Sequence, residues 1–173
     1  QLGLRTLHEP TNFLIGGGLD DVWHDPKTDE IFIVDYKSTA GRRNKDLTAL
    51  QEISLVGAYK ETYKRQMDMY QWIMRQNGFN VNKTGYFVYV NGDQHFEDGM
   101  LEEDIDKAYM KFDVQLISYE ADDSWVNQAI LDLKDCLLQN NCPEHAQSGF
   151  GPKGDKQCEQ AQLFEGMKEH GLI

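Results

Sequence analysis

The sequence predicts an α/β domain in which a central mixed β-sheet is flanked by helices. Three observations support this: short apolar runs bounded by turn residues, one long stretch with apolar residues at helical spacing, and a hydrophobic fraction of 40% in 173 residues. This length suits one compact domain with a sizeable core, and a second full domain would be cramped. No apolar run reaches membrane-spanning length, so no membrane association is expected.

The first quarter of the chain predicts a β-hairpin. Residues 11–23 combine apolar side chains with three successive glycines, which favours a strand with a bulge in its middle. Residues 24–30 are rich in aspartate and contain a proline, as in a turn. Residues 31–34 form a continuous apolar run, typical of a strand buried on both faces. The two strands should pair across the turn.

The rest of the chain alternates between helical and strand patterns. The predicted elements are a helix over residues 47–77, a strand over 86–90 closed by a turn at 91–93, a strand over 112–119 and a helix capped by Ser124. The long helix is expected to break near Gly57 and to end with Gly78 as its cap. From residue 140 onward Pro, Gly, Lys and Gln dominate, so an irregular segment with a short helix near its end is expected.

Charge is distributed unevenly along the chain. The net charge of −12 argues against nucleic-acid binding, because neutralisation of phosphates dominates that affinity. Between Lys37 and Arg65, however, seven basic residues stand against three acidic ones, a net of +4 that leaves −16 for the remainder. Such a basic segment can steer a phosphate chain to one place, although a solvated helix face has the same composition. The residues expected to face a nucleic acid are Arg42, Arg43, Lys45, Lys64 and Arg65.

Acidic residues occur on both strands of the predicted hairpin. Asp20, followed by Asp21, ends the glycine-containing strand, and Asp35 directly follows the apolar run. Residues two apart on a strand share a face, so Asp35 and Lys37 project together while Tyr36 points away. Charges at the end of a buried strand are unfavourable unless they are paired or bound to metal. The pattern therefore indicates either a plain ion pair or carboxylates that hold Mg²⁺ or Mn²⁺.

A metal site of this kind suits phosphodiester hydrolysis. That reaction needs stabilisation of charge at the scissile phosphate and an activated water, and a divalent ion held by Asp20 and Asp35 can supply both. Lys37, beside the ion, could orient the water or offset the charge that develops in the transition state.

Three motifs follow one another within about fifty residues. They are Gly17-Gly18-Leu19-Asp20, Ile33-Val34-Asp35-Tyr36-Lys37-Ser38 and Tyr63-Lys64-Arg65-Gln66-Met67-Asp68-Met69-Tyr70. Fourteen residues separate Asp20 from Asp35, and Gln66 and Tyr70 share a helix face because they are four apart. Together these motifs resemble motifs II and III and the Gln-x-x-x-Tyr signature of RecB-type exonuclease domains in the PD-(D/E)XK nuclease superfamily. The resemblance covers residues 12–91.

This resemblance implies a fold and an activity. The fold would be a PD-(D/E)XK restriction-endonuclease-like core over residues 1–140, followed by an irregular C-terminal tail with Cys and His over 141–173. The activity would be Mg²⁺- or Mn²⁺-dependent hydrolysis of DNA by an exonuclease or end-processing enzyme, single strands included. Two alternatives stay open: a catalytically degenerate module that binds nucleic acid or a protein partner, and a different metal-dependent phosphate enzyme. The pair of Gln66 and Tyr70 argues against the second.

The resemblance also implies roles for individual residues. The metal ligands would be Asp20, Asp35 and the carbonyl of Tyr36, and the other catalytic residues would be Lys37, Gln66 and Tyr70. Asp21 is the fallback for Asp20. The family's first motif, an acidic or His residue on an upstream helix, has no convincing match, because His8 lies too close to Asp20. Its absence favours the degenerate module, whereas the intact acids and lysine disfavour it.

All three cysteines, Cys136, Cys142 and Cys158, lie in the last quarter of the chain. An odd number is a poor disulfide framework, so a reducing, cytoplasmic environment is the simpler interpretation. Some members of the resembled family bind an iron–sulfur cluster, but this chain lacks their N-terminal cysteine. Zinc held by the three cysteines and His145 is a second alternative, and free thiols are favoured over both. The chain begins at Gln1 rather than Met, which is compatible with a piece of a longer chain or complex.

Overall fold

The computed structural model describes residues 3–41, 50–93, 106–140 and 159–172. Its strands are β1 (Leu4–His8), β2 (Phe13–Gly17), β3 (Asp21–Asp25), β4 (Glu30–Thr39), β5 (Thr84–Asp93) and β6 (Lys111–Glu120), and its helices are α1 (Ala58–Gln76), α2 (Val126–Leu138) and α3 (Glu159–Glu169). The predicted α/β class is confirmed: a mixed four-stranded sheet is flanked by helices. No helix in these ranges is long and apolar enough to cross a membrane.

The larger sheet has the strand order β3-β4-β5-β6. β3 and β4 form the predicted antiparallel hairpin, with Asp21 opposite Val34 and Asp25 opposite Glu30. β4 and β5 run parallel, and α1 lies in the long connection that parallel neighbours require. β5 and β6 are antiparallel at the other edge. β4 is therefore an inner strand, paired on both sides.

The segment predicted as one bulged strand is in fact two strands in two different sheets. β2 ends at Gly17 and β3 begins at Asp21, so the three residues between them belong to neither strand. β2 pairs with β1 in a separate two-stranded sheet, and β1 was not predicted from the sequence. The chain thus changes sheets just before the hairpin, and Asp20 lies at this change.

α1 covers one face of the larger sheet and links it to the rest of the protein. Met67 and Met74 of α1 pack in one buried cluster with Ile33 of β4 and Phe87 of β5. Gly85 leaves room for this packing, because a Cβ there would overlap the sulfur of Met67. A second buried cluster joins α1 to α2 and to the smaller sheet, and its buried members are Trp72, Ile73, Val126 and Ile130.

The predicted end of α1 is confirmed, but its predicted beginning is not. Residues 51–57 form no helix, and α1 begins directly after Gly57, where the sequence predicted a break within a longer helix. At the other end Gly78 adopts a φ of 85°, and the N–H of Phe79 donates to the carbonyl of Met74 at 3.2 Å. This is the Schellman arrangement, so the predicted glycine cap is confirmed.

Other boundaries differ because of pairing between strands. β5 continues to Asp93 through the predicted turn at residues 91–93, since its residues pair with β6 as far as Asp93 opposite Lys111. Pairing overrides the local preference of Asn-Gly-Asp for a turn. The predicted cap at Ser124 is wrong: α2 begins at Val126 and no side chain caps it. The predicted strand over 112–119 and the short helix near the end are confirmed as β6 and α3.

Asp68 attaches α1 to β6 and to the start of α2. This carboxylate is 4% exposed and accepts hydrogen bonds from the Tyr119 hydroxyl at 3.1 Å, the Asp122 N–H at 3.1 Å and the Trp125 indole N–H at 3.0 Å. Burial, followed by the charge of Asp68, raises the pKa of Tyr119 to about 12. The three donors would be without an acceptor if the carboxylate were removed.

We predict that Asp68→Ala lowers the free energy of unfolding by about 2–4 kcal/mol, because partly buried donors lose a charged acceptor. The matched control is Asp132→Ala, an exposed acid on α2, which should change it by less than about 0.5 kcal/mol. Urea denaturation followed by tryptophan fluorescence measures both values. Equal effects of the two substitutions would show that Asp68 does not join these elements.

Candidate active site

The candidate active site lies where the hairpin and α1 meet, near the carboxyl end of β4. Extending the β3–β4 register by one residue beyond Asp21 and Val34 sets Asp20 opposite Asp35. Residues directly opposite on antiparallel strands share a face of the sheet. The Asp20 carboxylate also accepts a hydrogen bond from the backbone N–H of Tyr36 at 2.9 Å. The structure therefore brings Asp20 to Asp35 across the hairpin.

Asp35 is the buried charge of this site. It is 3% exposed, because it continues the strand that contains the fully buried Ile33 and Val34. Its Oδ2 forms an ion pair with Lys37 that lacks hydrogen-bond geometry, and no other described residue donates to this atom. Burial raises the pKa of Asp35, and the Asp20 carboxylate acts in the same direction while Lys37 opposes it. A cation between the two carboxylates would relieve both their repulsion and the effect of burial.

Asp21, the fallback for Asp20, lies on the other face of the sheet. Its carboxylate accepts hydrogen bonds from the Tyr36 hydroxyl at 2.8 Å, the Val22 N–H at 2.8 Å and the Trp23 indole N–H at 3.2 Å. These bonds lower the pKa of Asp21, and the bond from Tyr36 contributes most. Because Tyr36 and Asp35 are adjacent on β4, their side chains point to opposite faces. Asp21 is therefore not the acid that meets Asp35.

Lys37 is positioned by α1 as well as by Asp35. Its Nζ donates to Gln66 Oε1 at 3.3 Å and lies 4.6 Å from the centre of the Tyr63 ring. The Gln66 amide in turn donates to the Tyr70 hydroxyl at 2.7 Å. One series of contacts thus joins four residues of the motifs: Asp35, Lys37, Gln66 and Tyr70. We call this series the contact chain.

Tyr70 packs against the glycine that ends β2. A Cβ at Gly17 would lie 2.6 Å from Tyr70 Cε1, whereas a Cβ at Gly18 would meet no atom within 4 Å. The first of the two glycines is therefore required by the position of the Tyr70 ring. This contact explains in physical terms why a residue without a side chain stands three positions before Asp20.

We predict that Gly17→Ala displaces the Tyr70 ring, breaks its hydrogen bond with Gln66 and destabilises the protein by about 1–3 kcal/mol, as overpacking does. Gly18→Ala is the matched control, since its added methyl group enters open space. Urea denaturation gives the stability of each variant, and the chemical shifts of the tyrosine ring report its displacement. A Gly17→Ala protein with the parent's Tyr70 shifts would rule out this packing constraint.

The donor set suits a hard divalent cation better than zinc. Mg²⁺ is commonly held by one or two carboxylates and keeps several waters, so Asp20 and Asp35 fit it. Structural zinc takes four protein ligands. Within the described ranges, no group of three or more His, Cys, Asp or Glu side chains is arranged to hold a metal ion. The carbonyl of Tyr36 stays a predicted third ligand.

We predict that excess Mg²⁺ or Mn²⁺ raises the Tm of the parent by mass action and does not raise the Tm of Asp35→Asn. In EDTA at neutral pH, Asp35→Asn should be at least as stable as the parent. Because the pKa of Asp35 is raised in the folded state, the protonated form of this carboxyl stabilises the fold. That stabilisation is complete below the ordinary carboxyl pKa and is lost as pH rises through the folded-state pKa. Thermal unfolding followed by circular dichroism tests both, with the exposed Asp135→Asn as control. An equal metal effect on Asp35→Asn would place the ion elsewhere.

Two of the five basic residues expected to face nucleic acid are described by the structure, and both lie outside the contact chain. Arg42, Arg43 and Lys45 lie outside the described residues. Lys64 forms an ion pair with Glu61 at 2.7 Å. Arg65 is exposed, and helix geometry sets it about 160° around the axis of α1 from Tyr63. The role of these five residues in binding stays a prediction.

The structure adds residues that the sequence analysis did not select. Lys60 donates to the Tyr89 hydroxyl at 2.7 Å and lies 5.4 Å from the centre of the Tyr63 ring. The Tyr63 ring therefore contacts both Lys60 and Lys37, and Tyr59 packs on it edge to face at 5.1 Å. Helical spacing of the tyrosines was the available signal, but it does not identify which of them meet a lysine.

His8 and Cys136 lie apart from the contact chain. Both ring nitrogens of His8 are in hydrogen bonds, to Thr11 Oγ1 at 2.7 Å and to Asn127 Oδ1 at 2.8 Å, so His8 fastens β1 to α2. Cys136 is a free, partly buried thiol of α2. The other predicted ligands of zinc or an iron–sulfur cluster, Cys142, His145 and Cys158, lie outside the described residues. Both metal alternatives for the cysteines stay predictions.

Comparisons of this chain with protein-family models, curated proteins and solved structures found no match. The resemblance of the three motifs to those of a nuclease family therefore stays a prediction.

Proposed function

We propose that this domain is a metal-dependent deoxyribonuclease of the PD-(D/E)XK type that hydrolyses phosphodiester bonds. The observation that supports it is that one hairpin and one helix bring together the residues of three separate motifs: Asp20, Asp35, Lys37, Gln66 and Tyr70. Two acids across a hairpin, a lysine two residues after the second acid and a Gln–Tyr pair on the following helix form the arrangement that the resembled motifs imply.

Each side chain has a task in the proposed hydrolysis. Asp20 and Asp35 would hold the divalent cation, which when bound polarises a phosphoryl oxygen and lowers the pKa of an attacking water. Lys37 offsets the negative charge that develops on the phosphoryl oxygens. Gln66 fixes the Lys37 ammonium in position through its Oε1, and Tyr70 fixes the Gln66 amide in turn.

Lys37 has two kinds of partner, and the difference supports its catalytic role. The Asp35 carboxylate neutralises the ammonium, whereas Gln66 Oε1 and the Tyr63 ring position it without neutralising it. The ammonium therefore keeps its place and a full positive charge whenever the Asp35 carboxylate is compensated by another cation. A charge held ready in this way needs no rearrangement when the transition state forms.

The proposed substrate is DNA, including single strands. The proposed mode of action is that of an exonuclease or an end-processing enzyme. Contacts through phosphates are tolerant of sequence and weaken with salt. The segment between Lys37 and Arg65 carries +4 against −16 elsewhere, so the rest of the chain would repel DNA and confine it to this site.

A second candidate function is a catalytically degenerate module that binds nucleic acid or a protein partner. It is favoured by the small donor set, since only two carboxylates meet here and no larger group of ligands occurs among the described residues. Such a module would bind single- or double-stranded DNA in EDTA and in Mg²⁺ alike, without cleaving it.

We predict that Asp35→Ala and Lys37→Ala each reduce metal-dependent cleavage at least about 100-fold, because each removes a group that acts on the transition state. The matched controls are Asp135→Ala on α2 and Lys168→Ala on α3, both exposed, which should cleave like the parent. Labelled single- and double-stranded DNA with Mg²⁺, Mn²⁺ or EDTA serves as the substrate, and circular dichroism checks that the variants are folded.

Parental cleavage by Asp35→Ala would place the chemistry elsewhere in the chain. A folded parent that binds DNA but cleaves neither form with either metal would favour the non-catalytic module.

A further inference from the structure

We infer that the first turns of α1 form a subsite for an unpaired nucleotide next to the scissile phosphate, in which Lys60 binds the phosphate and Tyr59 stacks on the base. This inference rests on the proposed function, because it takes the Asp20–Asp35 site as the place of cleavage. It adds what that proposal leaves open, a preference for single-stranded DNA at this site.

Lys60 is a partly buried cation whose described partners are all uncharged. Its Nζ donates to the Tyr89 hydroxyl at 2.7 Å and lies 4.4 Å from the centre of the Tyr89 ring and 5.4 Å from that of Tyr63. In the part of the chain that the structure describes, no carboxylate pairs with it. Burying a charge without a counter-charge is unfavourable, so this position suits an anionic ligand.

Lys60 and Lys37 stand against the same aromatic ring. Their Nζ atoms lie 5.4 Å and 4.6 Å from the centre of the Tyr63 ring, and among the described residues only Lys37 has a carboxylate beside it. The Tyr63 hydroxyl supplies no counter-charge, because its hydrogen bond with Tyr59, followed by burial, raises the pKa of Tyr63 to about 12. Two ammonium groups beside one ring suit two successive phosphates of a strand, with Lys37 at the scissile phosphate and Lys60 at its neighbour.

Tyr59 supplies the second half of the subsite. It is 71% exposed and packs edge to face on Tyr63, with the rings 5.1 Å apart and inclined by 73°. An exposed, supported ring beside a lysine is the combination by which proteins bind single strands: the base stacks on the ring and the phosphate contacts the cation. Bases in a duplex are already stacked and paired, so Tyr59 would select an unpaired nucleotide.

Equilibrium binding tests the phosphate contact. Labelled oligothymidylate and a duplex of the same length are titrated in EDTA, where no cleavage occurs, at several salt concentrations. Lys60→Gln should weaken binding of the single strand and reduce the slope of log K against log salt by about 0.7, the value of one phosphate contact. Lys60→Arg keeps the charge and should keep the slope. Lys168→Gln on α3 is the control and should behave like the parent.

The same titrations test the stacking contact. Tyr59→Leu should raise the Kd for the single strand about 5- to 100-fold without changing the salt slope, and should leave binding of the duplex unchanged. Tyr109→Leu, another exposed tyrosine, is the control. In Mg²⁺, both site variants should raise KM while leaving kcat near the parent's value, because neither side chain touches the scissile phosphate.

The outcomes separate the subsite from the proposed hydrolysis. An unchanged salt slope in Lys60→Gln, or equal loss on single strand and duplex in Tyr59→Leu, overturns the subsite even if the parent cleaves DNA. If both variants show their expected effects on single-strand binding but the parent never cleaves DNA, the subsite is supported and the proposed hydrolysis is refuted. A parent that neither binds nor cleaves refutes both.

Discussion

Asp35 is buried because the residues before it on β4 lie in the core. Ile33 and Val34 have no solvent exposure, because β4 is paired on both sides and lies under α1, and Asp35 follows them before this burial ends. A carboxylate at such a place must be compensated, and Lys37 does so from the same face of the strand. The hairpin then adds Asp20 on that face, so the charge problem at Asp35 determines how the surrounding residues are arranged.

The helix that closes the core also completes the site. Met67 faces the sheet from α1, and Gln66, its neighbour in sequence, reaches Lys37, so core packing fixes the distance of Gln66 from β4. Tyr70 follows one turn later and packs on Gly17, which ties the smaller sheet to the same helix face. The geometry of the contact chain is therefore a consequence of the same packing that holds the two sheets on α1.

What the sequence predicted was local. Turn chemistry and period-two alternation depend on residues that are close together in the sequence. They predict the hairpin, the shared face of Asp35 and Lys37 and the cap at Gly78. The change of sheet before Asp20 depends on the pairing of β2 with β1, and the course of β5 through residues 91–93 depends on its pairing with β6, so the same local rules misjudged both. Lys60 was missed for the same reason, since its neighbour Tyr89 lies on β5.

The site contains two like-charge pairs of opposite sign. Asp20 and Asp35 act on each other across the hairpin, and Lys37 and Lys60 stand against one tyrosine ring. In a fold selected for stability alone, one member of each pair would be replaced by a residue of another charge, which removes the repulsion. Repulsion between like charges is the kind of local conflict that is expected where function requires it. Asp35 and Lys37 compensate each other, so among the described residues it is Asp20 and Lys60 that are left without a counter-charge. A divalent cation between the carboxylates and a phosphodiester along the lysines would supply both at once, so the electrostatics of the site match a metal-bound nucleic acid strand better than either ligand alone.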